Sequence, residues 1–229
     1  MGMLGADWFT KLLNGTSNNT NSQTNNVMVN RVNDDVIKAL AGFIKVYEGY
    51  ESKAYNLGDG KITIGYGTTQ WLNSSGNVVR AVRMGDTITE TVALQQLHYF
   101  FIKVIPQLNQ YLAISSVTVP ANFLASLLNF CYMSGGGFLN WSSTKAMILK
   151  VNRNSNLSSV AFTLKTDMVN AYKSLKTNAT ERARYGQNKT HKWQIYGLGW
   201  SRRIQASADL IEGKMKKESW YVSNIKKAF

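Results

Sequence analysis

The sequence predicts an α+β protein, with a small antiparallel sheet lobe toward the N-terminal side and a larger helical lobe after it. Three observations predict this. The apolar residues Val36, Leu40, Phe43, Ile44 and Tyr47 recur at helical spacing ahead of Glu48. From Lys61 to Val82 the pattern switches to β-branched and aromatic residues interrupted by Gly and Asn turns. Beyond Ile88 helical spacing returns and persists, punctuated by Pro106 and Pro120, the only two prolines in 229 residues.

Taken in order, residues 1–13 carry Leu4, Trp8, Phe9, Leu12 and Leu13 at near-helical spacing, a short amphipathic peptide that would dock on a partner or on its own domain, or fray as a terminus. The stretch NGTSNNTNSQTNN (14–26) is polar, lacks periodicity and cannot bury enough apolar surface to offset its ordering entropy, so it reads as a linker. Residues 1–33 are therefore expected to be peptide and linker, and 34–229 one domain, with the sheet lobe over about 50–88 and the helical lobe over about 89–229. The first helix begins at Asn33 or Asp34, both good N-caps, and ends at Gly49. ITIGYG, TTQWL and VVRAV form the sheet, the last two joined by a turn at SSGN. ITETVALQQLHYFFIKVIPQLNQYL is helical from a cap near Thr89 and Glu90, and Pro106 is expected to kink or end it. ANFLASLLNFCYM, a Ser-Gly-Gly-Gly corner, SSTKAMILKVN, LSSVAFTLKTDMVNAYKSL and WSRRIQASADLIEGKMKK complete the helical lobe without an internal repeat.

Composition narrows the function. With 44% apolar and 11% aromatic residues the chain can build a substantial core, and no apolar run reaches the roughly eighteen residues of a membrane span. The opening MGMLGADWFTKLLNG has no basic leader or small-residue cleavage site, which argues against a conventional secretory signal and for synthesis in a cytoplasm. The single cysteine, Cys131, lies in an apolar run and is expected to be a buried small hydrophobe. His98 and His191 form no cluster with other ligand types, so neither a metal nor a cofactor is expected. Ser134 with Gly135 to Gly137 makes neither a nucleophile elbow nor a phosphate loop. The net charge of +13 is uneven: residues 1–110 hold nine Lys/Arg against eight Asp/Glu, and residues 111–229 hold seventeen against five. Such a field attracts nucleic acid, anionic membrane surfaces or a wall rich in carboxylates and phosphates. No nucleic-acid-binding motif accompanies it, so a specific nucleic-acid partner is not expected.

The stretch YEGYESKAYNLGDGKITIGYG, residues 47–67, carries the chemistry. Glu48 follows Ile44 by four residues and Leu40 by eight, which puts it on the apolar face of the first helix and in its last turn. Partial desolvation and the negative helix end both disfavour its charged form. A carboxyl kept protonated is what a general acid requires, and cleaving a glycosidic bond needs one on the leaving oxygen plus a second group to handle water or charge. The hairpin after the helix is the source of that second group. Glu51 reads as a solvated loop charge.

The run Glu48-Gly49, Ala54-Tyr55, Gly60 and Thr63-Ile64-Gly65-Tyr66-Gly67 resembles the phage-type lysozymes and endolysins of glycoside hydrolase family 24, whose signature reads roughly E-G-x(5)-Y-x-D-x(2)-G-x(2)-T-I-G-Y-G. VPANFLASLLNFCYMSGGGFLNWSST and GLGWSRRIQASADLIEG resemble two later family segments more weakly. The resemblance implies a lysozyme-like fold and a muramidase that cleaves the N-acetylmuramic acid to N-acetylglucosamine β-1,4 bonds of bacterial peptidoglycan with inversion. It implies Glu48 as the acid, an Asp that assists the attacking water, and Thr63 completing the site. Three positions depart from the pattern. Leu57 stands where the family has its Asp, with Asp59 two residues later; Thr68 replaces the usual histidine after the glycines; and Gln205 and Ala206 replace the glutamate after the Arg pair, Arg202-Arg203. Either the loop bulges at Gly58 and Gly60 so that Asp59 serves as the base, or Asp59 is a turn residue and Thr63 works with an ordered water. Tyr55 and Tyr66 either line the saccharide cleft or pack in the hairpin. The alternative function is a peptidoglycan-binding structural module that keeps the scaffold without the chemistry. An enzyme of this type would act at the cell wall, either free or carried by a virion or secretion apparatus held through residues 1–13.

Overall fold

The first helix, α1 (Asp34–Glu48), begins where the sequence places it, because the Asn33 side chain accepts a hydrogen bond of 3.2 Å from the Val36 amide and Asp34 and Asp35 sit at the positive helix end. In this computed structural model, which describes residues 27–56, 61–115, 118–134, 136–151, 155–174, 192–214, 216 and 218–225, the face bearing Val36, Leu40, Phe43 and Ile44 is buried. Gly49, at φ +66°, turns the chain out of the helix.

Residues 27–33, grouped with the linker by composition, belong to the folded body. A short strand β1 (Met28–Val29) pairs antiparallel with a later segment, Val119–Pro120, and Val29 and Val32 are buried. The Val32 amide donates to Asn109 Oδ1 at 2.8 Å. The run is too short to show a strand period, and its partners lie some eighty to ninety residues away.

After α1 come two antiparallel hairpins. β2 (Glu51–Asn56) pairs with β3 (Ile62–Gly65), setting Tyr55 opposite Thr63 and Asn56 opposite Ile62. β4 (Gln70–Leu72) pairs with β5 (Val78–Ala81) across the expected turn, which Asn73 closes by accepting from the amides of Ser75 and Asn77. The base of this hairpin is tied by Asp86, whose carboxylate accepts from both Arg80 terminal nitrogens, from Trp71 Nε1 at 3.0 Å and from the Arg83 amide. Those donors, the Arg80 guanidinium first, hold its carboxyl well below the usual carboxylate range.

α2 (Glu90–Ser115) joins the lobes, touching β3 and β4 at one end and the helices at the other. Contrary to expectation, Pro106 does not end it. Val104, Leu108 and Leu112 continue one buried stripe across the proline, so core packing outweighs the missing amide hydrogen bond. β6 (Val119–Pro120), the partner of β1, leads into α3 (Ala121–Ser134), in which every residue from Ala121 to Cys131 is buried. α3 is the central helix. Cys131 is fully buried and burial pushes its thiol up, as a small hydrophobe in a core requires.

A 3-10 turn (Gly136–Asn140) precedes α4 (Ser142–Lys150), α5 (Leu157–Ser174) and α6 (Lys192–Ile211). α1 and α6 flank α3, and α5 packs on α6. α6 stops at Ile211 rather than running on through the lysines: the Gly213 amide bonds to Leu210 O and that of Lys214 to Asp209 O. A further helix, α7 (Glu218–Asn224), which the sequence did not suggest, is anchored by buried Tyr221, whose hydroxyl donates to Asp209 Oδ2 at 3.0 Å. The architecture is α+β, as predicted. Among the described residues no helix is long and apolar enough to cross a membrane. The peptide 1–13, the linker 14–26 and His191 lie outside the described residues.

Two outcomes follow from local chemistry. Thr144 Oγ1 is buried with no hydrogen-bond partner among the described residues, so Thr144→Val, which keeps the shape and removes the hydroxyl, should stabilise the protein by about 1 kcal/mol. Thermal melts should show a rise of about 3 °C; a fall would refute it. Asp86→Asn should lower stability, with the pH deciding how much. Because the folded carboxyl titrates below the unfolded value of about 3.9, the wild-type advantage is full above about pH 4 and declines as pH falls further. Melts of both proteins from neutral to strongly acid pH should converge at the acid end.

Candidate active site

Glu48 is the last residue of α1, and its side chain emerges where the helical lobe meets the hairpins, 20% exposed. The apolar stripe that carried it to this position leaves it partly desolvated, as expected. The structure adds a countercharge. Arg203, on α6 and 8% exposed, puts Nη1 on Glu48 Oε1 in a direct ion pair. The rest of the guanidinium is held from behind: Nε lies 3.0 Å and Nη2 2.5 Å from Asn129 Oδ1 on α3. Asn129 in turn donates from Nδ2 to Ser207 Oγ at 2.7 Å, and Ser207 donates to the Arg203 carbonyl one helical turn back. Ser126 donates to the Ser207 carbonyl. A chain of hydrogen bonds through the core therefore fixes the carboxylate from three helices, and each buried polar group in it has a partner.

The other carboxyl oxygen faces the loop after β3. Gly67 has φ +95°, and a β-carbon there would stand 3.0 Å from Glu48 Oε2. The backbone conformation favours glycine, and a β-carbon would make the Glu48 carboxyl give way by a few tenths of an ångström. One Glu48 oxygen is thus bound to Arg203, while the second lies against bare backbone at the mouth between the lobes.

The remaining sequence candidates fall as follows. Thr63 is half-buried on β3, paired across the hairpin with half-buried Tyr55. Tyr66 is 3% exposed, its ring 5.7 Å from that of Tyr50 and its hydroxyl donating to Glu90 Oε1 at 2.6 Å, so of the two roles open to it the structure has it packing. Glu51 is exposed. Asp59 and Leu57 lie outside the described residues, in the connection between β2 and β3. Among the described residues no group of His, Cys, Asp or Glu has the arrangement of a metal site.

Sequence reasoning singled out Arg203 only as half of a resembling Arg pair and gave it no role, and it passed over Asn129. A signal was present. Arg203 shares a helix with buried Ser201, Ala206 and Ser207, and a cation on a small-residue helix face is seldom buried unless paired.

A small hairpin lobe, a helical lobe and an acidic side chain fixed at the junction between them define the class of protein: a two-lobed, lysozyme-like α+β fold. The sequence comparison is in agreement and more specific. The family model for phage lysozyme matches residues 45–182, more than half of the chain and including Glu48, so the chain belongs to the phage lysozyme family, which makes it a peptidoglycan-lytic muramidase in general type. A search of curated proteins finds no match. Arg203 lies beyond the matched segment.

Removing the guanidinium should cost more than a surface pair would. Arg203→Met leaves a part-buried carboxylate and the Asn129 carbonyl without partners, an expected loss of about 3 kcal/mol in urea unfolding. Arg203→Lys should recover little, because one ammonium cannot reach Glu48 while replacing both contacts to Asn129. Full recovery by lysine would show that charge alone matters.

Proposed function

We propose that this protein hydrolyses the β-1,4 bond between N-acetylmuramic acid and N-acetylglucosamine in bacterial peptidoglycan with inversion of configuration, Glu48 being the general acid, Asp59 the base and Thr63 the residue that helps to hold the attacking water. The observation that carries it is the setting of Glu48. Its Oε1 is committed to Arg203, so its Oε2, beside Gly67 at the junction of the lobes, is the oxygen that hands a proton to the leaving glycosidic oxygen. A β-carbon at Gly67 would crowd that oxygen.

Thr63 and Tyr55, opposed on β2 and β3, flank the connection that contains Asp59. An inverting reaction needs the two carboxyls about 6.5–9.5 Å apart, with room for water between them. Tyr55 is proposed to contact the sugar through its ring. The basic C-terminal half suits a wall rich in carboxylates and phosphates. The place of action proposed is the cell wall after synthesis in the host cytoplasm, with residues 1–13 the segment that would fasten the protein to a virion or secretion apparatus.

One observation favours a second reading, a module that binds peptidoglycan with little or no chemistry: Leu57 occupies the place of the family carboxylate. Turbidity loss and reducing-end release from purified peptidoglycan separate the two. Under the enzymatic reading wild type releases reducing ends, while Glu48→Gln and Asp59→Asn each lose about 100-fold or more. The first-formed sugar is the α-anomer, read by NMR. Clearance by Glu48→Gln at the wild-type rate would sink the enzymatic reading, and binding without new reducing ends would establish the second.

A further inference from the structure

The side chain that touches both halves of the Glu48–Arg203 pair's surroundings is one the mechanism has not used. Tyr132, on α3 one turn beyond Asn129, points its hydroxyl at the glycine loop and donates to the Tyr66 carbonyl at 2.6 Å. That carbonyl belongs to the peptide immediately before Gly67, the residue at which a β-carbon would stand 3.0 Å from Glu48 Oε2. The Tyr132 hydroxyl itself lies 3.4 Å from where a Gly67 β-carbon would be, so it and the Glu48 carboxyl meet beside the same point of backbone. The ring does a second job. The Arg203 guanidinium carbon lies 5.8 Å from the ring centroid, within the range of a cation–π contact, and Phe100 packs edge-on to the ring at 5.1 Å.

We infer that Tyr132 is a positioning residue for the acid: its hydroxyl fixes the Tyr66–Gly67 backbone against one oxygen of Glu48, and its ring supports the Arg203 guanidinium that binds the other. Both contacts on the carboxyl then refer back to one rigid side chain in the central helix. Burial, followed by the charge of Glu48, pushes the phenol above its ordinary value, so it remains protonated and donating wherever the enzyme works. A phenylalanine at this position would keep the ring and lose the tether. The backbone at Gly67 would then be free to move by a fraction of an ångström, and Oε2 with it, which is a displacement that proton transfer feels.

This inference rests on Glu48 being the acid, and the experiment keeps the two apart. Wild type, Tyr132→Phe, Gly67→Ala, the double variant and Glu48→Gln are assayed for reducing-end release on purified peptidoglycan across pH, with rates referred to the folded fraction measured by near-UV circular dichroism. Expected for Tyr132→Phe is a fall in kcat of about tenfold with KM within about twofold, and a displaced limb of the pH profile. Gly67→Ala, reaching the same oxygen from the loop side, should show a similar fall, and the double variant should lose less than the product of the two. If Tyr132→Phe has wild-type kcat and pH profile while Glu48→Gln is inactive, or if the two losses multiply fully, the positioning role is overturned and the acid assignment stands. If Glu48→Gln is as active as wild type, the acid assignment itself fails.

Discussion

The ion pair between Glu48 and Arg203 is the constraint on which the rest of the arrangement depends. It joins the end of α1 to the middle of α6 and draws Asn129 of α3 in behind it, so the three helices that make the main core are registered to one another by charge as well as by packing. A carboxylate and a guanidinium this far from water recover their desolvation cost only with good geometry and satisfied neighbours. The chain through Asn129, Ser207 and Ser126 supplies both.

The hairpin lobe answers to the same point from the other side. Its glycine loop is shaped by φ +95° at Gly67, which lets backbone approach the Glu48 carboxyl as no substituted residue would. Farther out the lobe is held by the Asn73 turn and the Asp86 cluster, and α2 grips the same hairpin: Gln96 bonds both the amide and the carbonyl of Leu72, and Lys103 donates to Asn77 Oδ1.

What the sequence disclosed is what local physics determines. Asn33 and Gly49 marked α1 because capping is decided within a few residues, and Glu48 was found because its place on the apolar stripe follows from helical period alone. The same logic failed where distant packing decides. Pro106 signals a helix end, yet buried residues on both sides keep α2 continuous; Val29 and Val32 look like linker until Val119 and Asn109 come to meet them. Arg203 carried a visible oddity, a cation among small residues, but nothing in a linear reading names Glu48 as its partner. Half of the Glu48 environment was therefore legible, the half that α1 creates.

The numbering of that pair also has a temporal meaning. Glu48 emerges early from the ribosome and its countercharge 155 residues later, so the site is assembled from the two ends of the domain. Closing so long a loop is slow compared with forming α1 or either hairpin, which need only near neighbours. A chain interrupted between α1 and α6 has the Glu48 side chain but not the guanidinium that fixes it. The pair that fixes Glu48 is therefore complete only once α6 has been made, however early its carboxyl appears.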